Sequence, residues 1–398
     1  MKIYNFDEII DRRGTDCVKY DKLKVLFGNE NLIPLWVADM DFKVGDFITE
    51  ALKKHCEHGI FGYPMIPQDY FSTIKNWILS HHQWDIKEDW ISFVSGVVKG
   101  IAYTVMHFTQ PGDKIIIQPP VYHPFRIVPE MNHRKIVFNP LIEENGKYRM
   151  DLDGLQQILE KEDCKMLILS NPHNPVGITW DANTLKKLAD ICFKRNVLVI
   201  SDEIHSDMAL FGNKHIPFAS VSEHAANNSI TLMAPSKTFN IAGIVSSFAI
   251  IPNDKLRHNF FEFLHGGEFN QGNLFAYIAT EAAYKHGEDW MKQMLNYIEE
   301  NIFFIENYIR KNISEITVVR PEASFLIWLD CRKLDLSQKE LSSLFVDKAG
   351  LALNDGEMFG IEGKGFMRMN VGCSRLILKK ALENLRKAVS SRITTNKR

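Results

Sequence analysis

No apolar run in this chain approaches membrane-spanning length, so no transmembrane helix is expected. Neither sign of charge is in excess. The net charge is −2 over 398 residues, which leaves no electrostatic footprint for nucleic acid. The basic end, Arg392 to Arg398, reads as a solvated tail. The six cysteines, Cys17, Cys56, Cys164, Cys192, Cys331 and Cys373, contain no CxxC pair. That argues against a disulfide framework and fits a reducing cytoplasm. His55-Cys56-Glu57-His58 and Asp202-Glu203-Ile204-His205-Ser206-Asp207 hold ligand-type residues, but no second cluster completes either and no HExxH occurs, so no metal site is expected. No Rossmann glycine fingerprint and no P-loop are present, which disfavours nucleotide cofactors. The start, Met1 to Glu8, has early acids and no apolar run, so it does not read as a signal peptide. No internal repeat is visible.

What is there is apolar and alternating. A hydrophobic content of 45% is ample for a large core and favours two domains. Strand candidates are Ile91–Ser95, Lys114–Gln118, Lys135–Phe138, Lys165–Ser170, Val197–Asp202, Ser229–Met233 and Val245–Ile251. Most are continuously apolar, as expected when helices cover both faces of a mainly parallel, seven-stranded sheet. Helical patterns fill the gaps, at Val97–Phe108, Trp180–Arg195 and Gly272–Lys285. This is an α/β architecture. A longer helix is expected over Glu288 to Lys311, with an apolar stripe of Trp290, Met294, Ile298, Ile302, Ile305 and Ile309. It connects residues 46–287, the expected large domain, to a smaller α+β domain. That smaller domain takes 288–398 and the residues before about Asp46.

Three expected strand ends deliver an amide, an acid and a lysine. Lys165–Ser170 runs into Asn171-Pro172-His173-Asn174-Pro175, Val197–Ser201 ends in Asp202-Glu203-Ile204-His205, and Ser229–Met233 leads to Ala234-Pro235-Ser236-Lys237. A pyridoxal phosphate enzyme needs that trio. The lysine forms a Schiff base with the cofactor aldehyde, and Lys237 is the candidate. The acid keeps the pyridine nitrogen protonated, and Asp202 sits at the strand edge where ligands bind. Glu203 alternates to the other side. An asparagine can donate to the phenolic oxygen; Asn171 and Asn174 are equal alternatives on these grounds. The phosphate needs backbone N–H groups at a helix start. Ser95-Gly96-Val97-Val98-Lys99-Gly100 ends a strand and opens a helix. Tyr122, in Pro119-Pro120-Val121-Tyr122-His123-Pro124, can stack on the pyridine ring or simply pack beside its prolines. Arg368, in Phe366-Met367-Arg368-Met369-Asn370, suits capture of an amino-acid carboxylate, or turns to solvent from an edge strand. Arg375 is a weaker candidate that can cap the terminal helix.

The chain resembles fold-type I pyridoxal phosphate enzymes of the aminotransferase class I/II superfamily over nearly its whole length. More narrowly it resembles the cystathionine β-lyase (C–S lyase) subgroup. Leu35-Trp36-Val37-Ala38-Asp39-Met40-Asp41-Phe42, Ser201-Asp202-Glu203-Ile204-His205-Ser206-Asp207 and Ser236-Lys237-Thr238-Phe239-Asn240-Ile241-Ala242-Gly243 carry the narrower match. The resemblance implies Lys237 as the Schiff-base lysine, Asp202 as partner of the ring nitrogen, Asn174 near the phenolic oxygen and Tyr122 on the ring. His205 and Ser236 would adjoin the cofactor, with Gly96, Val97 and Val98 around its phosphate. Arg368 and Ala38 would meet the substrate. Tyr63, in Phe61-Gly62-Tyr63-Pro64, would reach the phosphate of a neighbouring subunit, so a homodimer with shared sites is implied.

Two departures from the aminotransferase pattern fit the lyase subgroup. His205 stands where many aminotransferases have a tyrosine, and Val245 where many have a phosphate-binding arginine. His123 stands where some lyase relatives have a second tyrosine. The expected activity is β-elimination from cystathionine, cysteine or S-substituted cysteines in the cytoplasm, giving a thiol, pyruvate and ammonia. The alternative is an aminotransferase using an oxoacid acceptor.

Overall fold

The computed structural model describes residues 2–395. Seven strands form one sheet: β1 (Ile91–Val94), β2 (Lys114–Ile117), β3 (Lys135–Phe138), β4 (Cys164–Ser170), β5 (Leu198–Asp202), β6 (Ser229–Met233) and β7 (Ser247–Ile250). Their order is β1-β7-β6-β5-β4-β2-β3. Strand β7 is antiparallel to both its neighbours, and the remaining pairings are parallel. The period of two along these strands explains why they read as unbroken apolar runs. Ile115, Ile117, Met166, Ile168 and Ile200 enter a core with Val97, Ile101 and Phe125. Ile116, Leu167, Leu169 and Val199 enter a different core with Leu155, Leu159, Leu185 and Leu188. Each face is therefore covered by its own helices.

The helices that position the site are α1 (Tyr70–His82), α2 (Val97–Phe108), α3 (Glu288–Asn312) and α4 (Arg375–Thr395). In α3 the expected stripe of Trp290, Met294, Ile298, Ile302, Ile305 and Ile309 is buried throughout. Beyond it lies an antiparallel sheet of β8 (Thr317–Val319), β9 (Leu326–Asp330), β10 (Asn354–Asp355) and β11 (Phe366–Asn370), ordered β8-β9-β11-β10. One buried cluster runs from Phe93 and Phe248 of the large sheet, through the α3 stripe, to Leu329, Met367 and Met369 of the small one. The N-terminal residues lie beside that second sheet, in a separate two-stranded one. Ile33–Pro34 pairs in parallel with Leu351–Ala352, and the Asn370 N–H donates to the Leu35 carbonyl at 2.9 Å.

Some expectations shift. Val245 is not in the last strand of the sheet. It ends a short helical turn with φ 59°, and the strand begins at Ser247. The helices expected from Trp180 and Gly272 start at Ala182 and Leu274, because Asp181 and Asn273 cap them by accepting from Thr184 and Ala276 N–H. Arg392 is not in a solvated tail. It lies in α4, and its Nη1 donates to the Leu334 carbonyl at 2.6 Å. Residues 396–398 of that basic end lie outside the described residues. Among the described residues no helix is long and apolar enough to cross a membrane.

Candidate active site

The C-terminal ends of β4, β5 and β6 meet the N-terminal end of α2 around a cavity of about 270 Å³. Its wall contains Ala38, Gly96, Val97, Val98, Tyr122, Asn174, Asp202, His205, Ser236 and Lys237. Ser95, Lys99, Ser170, Ile204, Val245 and Ser246 complete much of the rest. The sites expected from separate stretches of sequence thus converge, at the strand edge where α/β sheets bind ligands.

Lys237 is half-buried in the wall, and its Nζ donates to the Ala38 carbonyl at 2.5 Å. Burial pushes its pKa down to about 8; Arg368 adds to that fall, while Asp39 and Asp202 oppose it. Asp202 behaves oppositely. Burial raises its carboxyl to about 7, against the backbone N–H of Ile204 and the charge of Lys237. Its Oδ1 accepts that N–H at 3.1 Å, so Asp202 caps the next turn and lines the cavity as well. Glu203 does face away. It accepts from Ser201 Oγ at 2.7 Å and from Phe218 N–H at 2.9 Å, and pairs with His215 at 2.7 Å.

Packing separates the two asparagines. Asn171 sends its Nδ2 to the Ile216 carbonyl at 2.9 Å, outside the cavity wall. Asn174 is in the wall, and its Oδ1 accepts from Arg368 Nη1 at 2.9 Å. That leaves the Asn174 amide nitrogen as the group with protons to donate. Arg368 is 5% exposed on an inner strand, so the solvent-facing edge-strand alternative is overturned. Its Nη2 donates to Asn354 Oδ1 at 2.6 Å and to the Trp36 carbonyl at 3.1 Å, with the guanidinium over the Phe359 ring. Burial lowers its pKa to about 10, still cationic at neutral pH.

At α2 the N-terminal turn has no side-chain cap. Gly96, with φ 108°, holds a backbone shape that other residues rarely adopt, and a Cβ there would meet Val245 Cγ1 at 3.6 Å. The Gly96 N–H itself is engaged by Ser247 Oγ at 2.9 Å. The free donors at this end are therefore those of Val97, Val98 and Lys99, which point along the helix dipole.

The remaining expected residues are placed as follows. Tyr122 is in the wall, its hydroxyl pKa raised by burial. His205 is buried with Nδ1 unpartnered, and burial holds its imidazole neutral, at about 3. His123 packs against Tyr122 and Phe359, with Nδ1 also unpartnered and a pKa lowered by burial to about 4. Tyr63 lies outside this cavity, on a fully exposed loop with Ile60, Phe61 and Met65. Arg375 opens α4 and donates through Nε to Asn301 Oδ1 at 2.8 Å, away from the site. Among the described residues no group of three His, Cys, Asp or Glu side chains converges as metal ligands.

The sequence reading missed the support under Ala38. Arg12 bonds Asp39 Oδ2 at 2.8 Å and Asp41 Oδ1 at 2.6 Å, while the fully buried Lys19 reaches Asp41 Oδ2 at 2.9 Å. Asn240 and Asn370 bind the backbone of the same segment. The two acids lay in a recognised segment. Their cationic partners carried no local signal.

The donor set fits pyridoxal phosphate. It has a half-buried lysine with a lowered pKa, a carboxylate short of counter-charge, unpartnered polar atoms at His205 and Arg368, and an open helix N-terminus beside a glycine cradle. Comparison with known proteins agrees. The chain is 42% identical to cystathionine beta-lyase PatB of Bacillus subtilis, over 97% of this chain and 100% of that protein. A PLP-bound putative aminotransferase from Clostridium difficile superposes with a TM-score of 0.94 at 43% identity, covering 97% of this chain and 100% of that one. The PLP-bound C-S lyase from Staphylococcus hominis superposes with a TM-score of 0.90 at 32% identity, covering 98% of each chain. The family described as aminotransferase class I and II matches residues 30–385, and this chain belongs to it.

Proposed function

We propose that this chain is a pyridoxal phosphate-dependent carbon–sulfur β-lyase acting on cystathionine, cysteine or related S-substituted cysteines. The products are a thiol, pyruvate and ammonia. The observation that carries the reading is the convergence of Lys237, Asp202 and Asn174 on one buried cavity at the open end of α2. Likeness to a cystathionine beta-lyase and a C-S lyase over nearly the whole chain selects this chemistry within the family.

When bound, the cofactor supplies an electron-withdrawing ring that takes up the charge left on the substrate Cα. The protein's part is binding, orientation and proton transfer. Val97 and Val98 N–H with Ser236, beside Gly96, hold the phosphate. Asp202 pairs with the ring nitrogen, and the Asn174 amide donates to the phenolic oxygen. Tyr122 and the neutral His205 adjoin the ring. Arg368 binds the substrate carboxylate, with Ala38 beside the substrate. Lys237 bonds the cofactor aldehyde at rest. Once freed, and with a pKa near 8, it would be neutral often enough to take the Cα proton. Loss of that proton would let sulfur leave with the Cβ–S bonding pair and take up a proton as the thiol; the remainder, released as an enamine when Lys237 regains its resting place, would hydrolyse to pyruvate and ammonia.

The exposed loop carrying Tyr63 supports a homodimer in which Tyr63 reaches the partner's phosphate and acts in its site. Six free cysteines, four of them buried, suit a cytoplasmic location. Residues 46–287 serve as the cofactor-binding domain, with 1–45 and 288–398 as the smaller domain.

The test is pyruvate release from cystathionine by purified, PLP-loaded protein without added oxoacid. Sustained production, stoichiometric with homocysteine, is expected. A single half-turnover that needs an oxoacid to resume would make the protein an aminotransferase instead.

A further inference from the structure

Behind the cavity wall lies a buried polar cluster that the chemistry above does not use. Asp207, in the turn after β5, is its centre. Its Oδ1 accepts from Trp77 Nε1 at 3.0 Å and pairs with His82 Nε2 at 2.9 Å, both on α1. Its Oδ2 accepts from Thr238 Oγ1 at 3.0 Å. Asp207 and His82 side chains are only 3% and 4% exposed, and Thr238 is fully buried. The neighbouring Glu203–His215 pair is equally buried, and the His82 and His215 rings meet edge-on at 5.3 Å.

Buried carboxylates are expensive unless they are paired and hydrogen-bonded. The three donors around Asp207 meet that need, and His82 and Trp77 lower its pKa against the effect of burial, so a fixed negative charge sits there. What that charge grips is informative. Thr238 follows Lys237, and Asp207 lies on the same short segment as Asp202 and His205. The hydroxyl–carboxylate bond therefore ties the lysine's turn to the segment that carries the ring-nitrogen partner. It is a charge-assisted bond, stronger than a neutral one.

We propose that Asp207 and Thr238 are positioning residues for Lys237. They hold its backbone still while its side chain alternates between carrying the cofactor and moving the Cα proton. This rests on the reading of Lys237 as the cofactor-bearing lysine. A lysine free to drift by an ångström loses proton transfer far more than it loses binding, on the order of 10²-fold.

The experiment compares PLP-loaded Thr238→Val, which removes the hydroxyl at nearly constant volume, with Thr238→Ser, which keeps it. Expected for Thr238→Val are a kcat lower by roughly 10- to 100-fold, KM within about threefold, and a weakened visible circular dichroism band of the bound cofactor. Thr238→Ser should restore both kcat and the band. If Thr238→Val keeps the wild-type kcat and band and only its melting temperature falls, the bond is merely structural and the proposal is overturned. Should the valine variant fail to fold, Thr238→Ala reads the same outcomes. Borohydride reduction followed by peptide mass mapping separates the two claims. A label on Lys237 in both wild type and variant leaves only positioning under test, whereas a wild-type label elsewhere defeats the reading of Lys237 itself.

Discussion

Asp202→Asn should stabilise the cofactor-free protein while weakening its hold on the cofactor. The buried carboxyl has its pKa raised from 3.8 to about 7, chiefly by desolvation. At about 1.36 kcal/mol per unit, carrying it ionised costs the fold on the order of 4 kcal/mol as an upper bound. The sign follows from proton counting. Between the unfolded value and about 7 the folded protein binds more protons than the unfolded chain, so stability falls as pH rises through that window. At pH 5 the folded carboxyl is protonated and about 1.6 kcal/mol of the loss has accrued; by pH 8 it is essentially complete. Asparagine keeps an oxygen for the Ile204 N–H and carries no charge. Its stabilising effect should therefore grow by roughly 2–3 kcal/mol from pH 5 to pH 8. The cofactor reverses the balance. On the proposed function a protonated ring nitrogen would give Asp202 its missing counter-charge, a bond worth roughly 1.5–3 kcal/mol, so the variant should bind pyridoxal phosphate about 10- to 150-fold more weakly. The assay is thermal and denaturant unfolding of cofactor-stripped protein at both pH values, with cofactor titration followed by absorbance. A variant gaining no stability on going from pH 5 to pH 8, or binding the cofactor as tightly as wild type, would refute the reasoning.

Arg368→Ala should raise KM for an amino-acid substrate by about 100-fold, and Arg368→Lys should not restore it, because one ammonium cannot replace a planar fork between Asn174, Asn354 and the Trp36 carbonyl; steady-state kinetics decide this. Ser247→Ala removes one of two acceptors of the Gly96 N–H, leaving the Val94 carbonyl at 2.9 Å, and should cost about 0.5–1.5 kcal/mol in stability, together with weaker cofactor binding, read by unfolding and by titration of the stripped protein. Ile302→Ala, in the fully buried α3 stripe, should cost about 2–5 kcal/mol in denaturant unfolding while leaving KM unchanged.

The large sheet was legible because parallel strands buried on both faces lose their polar alternation, and Lys165–Ser170 or Ser229–Met233 cannot easily be anything else. Lys237 and Asp202 were legible for a related reason. Asp202 is the last residue of an apolar strand, and Lys237 follows another after the turn of Ala234 to Ser236. The limits are equally physical. Asn171 and Asn174 are chemically identical and three residues apart, and only the Ile216 carbonyl and the Arg368 guanidinium tell them apart. Arg368 could be read as solvent-facing until β10 was seen to cover its strand. Val245 looks like a strand residue from its branched side chain, yet the turn before β7 places it in the left-handed region. Lys19 and Arg12 carried no signal at all, because pairing with Asp39 and Asp41 is made by tertiary packing and leaves no trace in local pattern.

Burial gives the site its selectivity as well as its geometry. The same desolvation lowers Lys237 to about 8, Arg368 to about 10 and His205 to about 3, and raises Asp202 to about 7. In every case the charged form is penalised. A ligand that brings the opposite charge to each penalised group gains interaction energy in a medium that screens little. On the proposed function, a protonated pyridine would do this for Asp202 and a substrate carboxylate for Arg368. His205 differs. Both nearby charges, Lys237 and Arg368, are positive, so its imidazole stays neutral and adds no competing cation beside the lysine. A cofactor lacking a protonatable ring nitrogen, or a substrate amine without its carboxylate, would leave one desolvated charge uncompensated. Discrimination against such molecules therefore comes from the groups the fold has already desolvated, before any contact to the departing sulfur is made.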